Sequence, residues 1–278
     1  MAVHTLYKNL GETPLECMER FRQSRPELSR VAMTYAGRLD PLAEGLLLVL
    51  SGDEVHDKEK YLALPKTYEC GVLWGVETDT GDVLGVVAGA SSPLQGFETR
   101  VPDGLSGRSA LAYPAATVSK PCSGESQPSQ TFLEVALKEW RGKFVQKYPA
   151  YSSRPVNGKS LFQWAREGRL GEIEIPMHEV ELLDAAFVSR RTTSGQELLS
   201  KILEKISLVG GDFRQQEIIA KWEEILSAPQ QEYVIDIISL TVSSGFYVRQ
   251  FVIDMAASLG MSALAFHIKR TRVGDFHI

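Results

Sequence analysis

Three cysteines in 278 residues are too few and too scattered for the usual uses of cysteine clusters. Cys17, Cys70 and Cys122 form no Cys-x-x-Cys pair, and no histidine stands at ligand spacing from them. That excludes a structural zinc site and a disulfide-stapled secreted scaffold. No run reaches the roughly 18 apolar residues a membrane span needs. The first 30 residues carry Glu12, Glu16, Glu19 and Glu27 where a leader peptide would have an apolar core. Positive charge is not in excess either, since 30 Lys and Arg against 35 Asp and Glu give a formal net charge of −5. A nucleic-acid partner therefore requires basic residues gathered on one face. No internal repeat of useful length is present. The remainder describes a soluble cytoplasmic protein, 44% hydrophobic, with enough apolar residues for one large or two modest domains.

The rest of the chain is arranged around Ala36-Gly37-Arg38-Leu39-Asp40-Pro41-Leu42-Ala43-Glu44-Gly45 and the apolar run Leu46-Leu47-Leu48-Val49-Leu50 behind it. Two glycines and a proline bracket an aspartate beside an arginine, so a tight irregular loop delivers a carboxylate at the mouth of a buried segment. Two readings are open from spacing alone. Asp40 is a mounted functional carboxylate, or Asp40-Pro41 is a helix cap and first turn.

Elsewhere the pattern alternates between helical and strand periods. Thr13-Pro14-Leu15-Glu16 is a capping box before an amphipathic helix that ends by Pro26. Residues 55–64 read as a short charged helix capped by Asp53, and Tyr68, Cys70, Val72 and Trp74 alternate as a strand. Thr80-Gly81-Asp82 turns into residues 83–87, predicting a hairpin. Residues 88–130 are rich in Gly, Ser, Pro and Ala and read as a long, partly mobile connection pinned at Leu105, Leu111 and Tyr113. Thr131 to Glu134 forms a second capping box, before a helix with Leu133, Ala136, Leu137 and Trp140 on its core face. Residues 143–159 read as an irregular basic and aromatic loop, suited to phosphates and bases if its rings face out. A helix follows to Gly168, then a strand over 173–188. Residues 194–206 and 214–226 form a helical pair, residues 233–243 a buried strand, Ser244 to Arg249 a turn into a helix ending at Gly260, and residues 263–276 a basic closing strand.

Four stretches in this order resemble the TruB-type tRNA pseudouridine-55 synthase family. They are the Gly37 to Gly45 loop; Lys66-Thr67-Tyr68-Glu69 with Gly75 to Asp82; Trp140-Arg141-Gly142 through Tyr151-Ser152, Asn157-Gly158-Lys159 and Ala165 to Gly168; and Ser244 to Arg249 through Asp254 and Gly260 to Arg270. The resemblance implies that Asp40 is the catalytic aspartate, Tyr68 the ring that stacks on the target uracil, and Arg249 the buried partner of Asp40. Ile268 falls at an apolar position against the flipped base. No metal or organic cofactor is implied, and the partner is the T-stem-loop of tRNA.

The sequence departs from the family pattern in places. Tyr35 stands where the family has a base-flipping histidine. The Gly-Arg-Leu-Asp string, with Arg38, is closer to the RsuA and RluA branches of pseudouridine synthases. The family's Lys-Pro-x-Gly is Lys8-Asn9-Leu10-Gly11, and Pro155 replaces a lysine. The expected architecture is α+β, a pseudouridine-synthase fold with a bent, mostly antiparallel mixed sheet flanked by helices and RNA-binding loops. Residues 1–278 form one catalytic domain and a monomer, with a helical insertion at about 190–230 and no C-terminal PUA domain. The basic RNA face draws on Lys143, Lys147, Arg154, Lys159, Arg166, Lys269, Arg270 and Arg272. The alternatives are a synthase for another RNA site such as ribosomal RNA, a silent RNA-binding or RNA-folding protein on the same scaffold, and a glycosidase using Asp40 and Glu44.

Overall fold

The computed structural model describes residues 2–90, 127–227 and 231–278. Most of the connection expected over residues 88–130 lies outside the described residues, with Leu105, Leu111, Tyr113 and Cys122.

The chain opens with strand β1 (Ala2–Lys8) and helix α1 (Pro14–Gln23), whose Thr13 capping box forms as the sequence predicts. Then come β2 (Met33–Ala36), the Asp40 loop, and β3 (Ala43–Ser51), which is the Leu-Leu-Leu-Val-Leu run. Helix α2 (Lys58–Ala63) starts later than predicted. A 3-10 turn over Gly52–Asp57 precedes it, and Asp53 does not cap it. Strand β4 (Lys66–Trp74) leads to β5 (Val76–Thr78), which pairs with β6 (Val87–Ala90), so the hairpin closes around residues 79–86 rather than directly on β4. Helix α3 (Gln130–Glu139) is capped by Ser129, whose hydroxyl accepts from Phe132 N; the predicted Thr131 box does not form.

Strand β7 (Gly142–Lys147) replaces the first part of the predicted irregular loop. Its Phe144 and Gln146 face inward while Lys143 and Lys147 face out, a period of two that marks a strand. The short strands β8 (Pro155–Val156) and β9 (Lys159–Ser160) precede α4 (Leu161–Arg166). The long β10 (Met177–Ser194) runs into the helical pair α5 (Gly195–Ser207) and α6 (Gln215–Ile225), both present as read from their 3.6 period. Then follow β11 (Glu232–Val242), α7 (Val248–Ser258), β12 (Ala263–Val273) and β13 (Phe276–His277).

Nine strands form one mixed sheet in the order β1, β3, β12, β4, β11, β10 and β7, with β2 beside β3 and β13 beside β12. Among the described residues, only β3 and β12 pair in parallel as strands of this sheet. The chain is thus α+β. Alternation along the central β4 places Tyr68, Cys70, Val72 and Trp74 against α3 and α7, while Leu73 faces α5 and α6. Both faces of the sheet centre are buried, which is why β3 and β11 read as continuous apolar runs. Among the described residues, no helix is long and apolar enough to cross a membrane.

One buried cation links the fold to the site. Lys8, fully buried at the end of β1, donates from Nζ to the carbonyls of Asn9 (3.1 Å), Pro41 (3.3 Å) and Ala43 (2.6 Å). Burial lowers its pKa to about 8. The folded value lies below the unfolded value of about 10.4, so the charged form burdens the fold below pH 8, and that burden lifts as pH rises from about 8 toward 10. Lys8→Met is expected to cost about 1–3 kcal/mol through the carbonyls it strands. In urea denaturation the gap to the wild type is expected to widen between pH 7 and pH 10; a gap that narrows would contradict the burial argument.

Candidate active site

The Asp40 loop hangs between two buried cations. On one side, Lys8 holds the carbonyls of residues 41 and 43. On the other, Arg270 donates to the carbonyls of Leu46 (2.7 Å), Arg38 (3.3 Å) and Gly37 (3.2 Å). At the parallel junction Gly45 has φ +105°, and a Cβ there would collide with the Arg270 backbone, so only glycine lets β3 approach β12. With several of its carbonyls satisfied by buried donors, the loop is held in place beside the site.

Asp40 meets Arg249 of α7. Arg249 Nε and Nη2 both lie 2.8 Å from Asp40 Oδ2, which leaves Oδ1 for a substrate. The two side chains differ sharply in exposure, 5% for Arg249 and 46% for Asp40, so a buried cation anchors a half-exposed anion. Arg249 is fixed further by the carbonyls of Thr80 (2.6 Å) and Tyr151 (3.4 Å). Burial works against its charge, but the carboxylates of Asp40 and Asp82 outweigh that and hold its pKa above the ordinary value.

Asp82 is the second carboxylate of the cluster, and its sequence context shows only a turn residue. Its Oδ2 lies 3.4 Å from Arg249 Nε, and Oδ1 accepts from Thr80 Oγ1 (2.7 Å) and Leu84 N (3.0 Å). Burial raises its pKa, and Arg249 opposes the rise. The turn that carries it is braced by α6, where Trp222 Nε1 donates to the Val83 carbonyl (3.1 Å). Gln146 is a further residue that sequence reasoning does not single out. Fully buried, its amide accepts from Tyr247 N (2.8 Å) and donates to Tyr247 O (3.1 Å), clamping the turn before Arg249. The alternation of Gln146 with Phe144 is the available signal.

These groups open into a cavity of about 850 Å³ lined by Asp40, Asp82 and Arg249, with Tyr68 and Ile268 on the α7 face of the sheet. Lys66 also lines it, buried, with its pKa lowered to about 8 by burial and then by the nearby Arg270 charge. Elsewhere on the lining, the Tyr151 hydroxyl donates to Asp79 Oδ2 (2.8 Å), and burial followed by that carboxylate raises its pKa to about 12. A carboxylate beside a fixed arginine, facing aromatic and apolar walls, can attack or stabilise an electron-poor carbon.

The structure thus brings together Asp40, Tyr68, Arg249, Ile268, Arg38 and Arg154 around one cavity. The Arg154 guanidinium lies 5.0 Å from the Tyr148 ring centroid. Tyr35 is not among the lining residues. Its ring packs beside the cluster of Cys17, Met18, Leu47 and Val49, 5.7 Å from Lys58 Nζ. Lys159 is also outside the lining, with both oxygens of Glu167 at 2.8 Å. Arg270 lines the cavity but is 1% exposed and spends its guanidinium on the Asp40 loop, so its place is structural rather than on an exposed basic face. Arg166 is held by Asp212 and Lys143 by Glu179.

The chain is similar to known proteins over most of its length. Residues 25–100 match the model of the TruB family pseudouridylate synthase, N-terminal domain. Curated tRNA pseudouridine synthases B from Azoarcus sp. and Thermosipho melanesiensis are each 26% identical, over 91% and 100% of this chain. One from Nostoc sp. is 30% identical over 69% of it. The chain spans 59%, 66% and 53% of those relatives' lengths. Among solved structures, one described as a Cbf5-Nop10-Gar1 complex superposes with a TM-score of 0.53 at 13% identity, over 99% of this chain and 49% of that one. That likeness speaks for the fold. In its ordered motifs, in the family model that residues 25–100 match and in relatives spanning nearly its whole length, this chain is similar to the TruB family of pseudouridylate synthases.

Proposed function

We propose that the chain isomerises a uridine of tRNA, the T-loop uridine at position 55, to pseudouridine, as a cytoplasmic monomeric enzyme. The observation that carries this reading is the half-exposed Asp40 carboxylate, gripped through one oxygen by the buried Arg249 at the wall of a cavity with aromatic and apolar walls. Related proteins bearing the name tRNA pseudouridine synthase support it. The reaction conserves atoms and electrons. The N1–C1′ bond breaks, a C5–C1′ bond forms, the C5 proton leaves and N1 gains one.

Each residue has a part in that sequence. Arg249 orients Asp40 through Oδ2, so that the carboxylate can act as nucleophile. Tyr68 stacks on the uracil as it turns, and Ile268, beside Tyr68 on the same face of the sheet, packs against the base. The uridine lies within a folded RNA loop, so it must be extruded into the cavity, at a cost of a few kcal/mol that stacking on Tyr68 offsets in part. Arg38 and Arg154 at the rim, with Lys147 beyond it, meet the backbone phosphates. Residues 1–278 act as one catalytic domain, with α5 and α6 as an insertion.

Incubating an unmodified tRNA transcript with the protein and mapping the product tests the substrate. Pseudouridine is expected at the T-loop uridine; product at another tRNA position or only in ribosomal RNA would move the assignment. Binding should weaken as salt rises, with a slope in log K against log salt of about −2 to −3, as for three or four neutralised phosphates. Affinity unchanged across a fourfold rise in salt would contradict the basic rim.

A further inference from the structure

The helical pair α5 and α6 does more than cover the sheet. Its connecting turn at residues 210–214 reaches the same cavity as Asp40, and Asp212, Phe213 and Arg214 all line it. The turn is held from several sides. Arg166 Nη2 donates to the Asp212 carbonyl (2.8 Å) and carboxylate (3.0 Å). The Gln215 side chain accepts from Phe213 N (2.9 Å) and donates to the carbonyls of Gly211 (2.7 Å) and Val209 (3.3 Å). So braced, it leaves the Phe213 ring 38% exposed at the cavity, which a second partly exposed ring, Phe162 at 37%, also lines. Partly exposed aromatic rings at the mouth of a cavity suit stacking on a flat partner.

Arg214 connects the turn to the reacting centre. Its backbone is left-handed, φ +61° and ψ +31°, a conformation that costs a non-glycine residue free energy and persists where the surroundings demand it. Its Nη2 lies 2.9 Å from Asp79 Oδ2, and its guanidinium sits 5.0 Å from the Tyr151 ring centroid. Tyr151 donates its hydroxyl to the same Asp79 oxygen and accepts through its carbonyl from Arg249. A continuous set of contacts therefore runs from Arg214 through Tyr151 and Arg249 to Asp40.

We infer that the 210–214 turn recognises the nucleotide next to the reacting uridine, with Phe213 stacking on that neighbour's base and Arg214 acting as the positioning residue that ties the turn to Arg249. This rests on the RNA-isomerase reading above. Tyr68 and Ile268 lie side by side on one face of the sheet at the cavity floor, so with the extruded ring seated over them a flanking base drawn toward the rim meets Phe213. One base on one ring is worth enough to govern which loop is accepted. The helical pair is then a specificity element, built on the same helices that brace the Asp82 turn.

The test uses stem-loop RNAs of the tRNA T-arm with 2-aminopurine directly 5′ or directly 3′ of the target uridine. With the wild-type protein, fluorescence is expected to be quenched on binding at one of the two positions. Phe213→Ala is expected to remove that quench and to raise KM roughly fivefold or more with kcat little changed, while Phe213→Tyr restores both. Arg214→Gln is expected to lower kcat roughly tenfold, with Arg214→Lys, which keeps an ion pair to Asp79, largely restored. Quenching that survives Phe213→Ala, or none at either position with the wild type, overturns the inference. Equal kcat in Arg214→Gln and wild type removes Arg214 from it. Wild-type quenching without formation of pseudouridine leaves the recognition turn standing and defeats the isomerase reading instead.

Discussion

Replacing Asp40 with asparagine is expected to abolish turnover, with kcat falling on the order of 10⁴-fold or more, as when the central member of a cooperating catalytic group is removed. RNA affinity should stay within about threefold, because the amide keeps the size of the side chain and an oxygen for Arg249. Stability should change by about 1 kcal/mol, since the Asp40 side chain is 46% exposed and water screens its pairing. Single-turnover kinetics on a tRNA transcript separate chemistry from binding. A variant that keeps a tenth of wild-type kcat would place the reacting carboxylate elsewhere, and Asp82 is the other carboxylate in contact with Arg249.

The second large effect belongs to Arg249. Arg249→Met removes a cation that is 5% exposed and leaves Asp40 and Asp82 facing each other without a counter-charge. Breaking such a buried pair costs about 3–5 kcal/mol, and catalysis should be lost with it. The loss should depend on pH in a definite sense. Burial already places the Asp82 pKa above its ordinary carboxylate value, and Arg249 is the main opposing influence. Without the arginine, Asp82 rises further. A carboxyl whose folded value exceeds its unfolded value destabilises the fold as pH climbs past the unfolded value of about 3.9, and its penalty fades toward acid. The stability gap between Arg249→Met and the wild type is therefore expected to be larger at pH 7.5 than at pH 5, measured by chemical denaturation. Equal gaps at both pH values would show that Asp82 does not carry the penalty. Arg249→Lys should recover part of the stability without activity, because an ammonium cannot reproduce the fork that meets Asp40, Thr80 and Tyr151 together.

Much of this site is legible in the chain because its parts carry local signals. The Gly37 to Gly45 string shows a loop with a mounted carboxylate, and the apolar run after it shows a strand buried on both faces. Ser244 to Arg249 shows a strand turning into a helix. What the sequence hides is direction. The basic residues of β12 read as an RNA face, but strand parity already separates them. Ile268 and Arg270 share one face, and both are buried, while Lys269 lies on the other. With Ile268 setting the parity, Arg270 falls inside, and its support of the Asp40 loop follows. Asp82 is hidden for a different reason. Thr80-Gly81-Asp82 is a sound turn signal, and nothing local says that the turn is folded back under α6 until it meets Arg249. The cap of α3 lies two residues before the expected one, because Ser129 and Thr131 offer competing hydroxyls and the core face settles the choice. Residues 143–147 read as part of an irregular loop because Lys143 and Lys147 obscure a two-residue period in which only Phe144 and Gln146 point inward.

Release of tritium from C5-labelled uridine in an unmodified tRNA transcript is the most direct test of the central claim, that the cavity beside Asp40 rejoins the ribose to C5. The account predicts release by the wild-type protein in step with appearance of pseudouridine at the T-loop uridine, and none by Asp40→Asn. A protein that binds the transcript tightly, in a salt-dependent manner, and releases no tritium from it or from ribosomal RNA would contradict the account and leave an RNA-binding protein on a synthase scaffold.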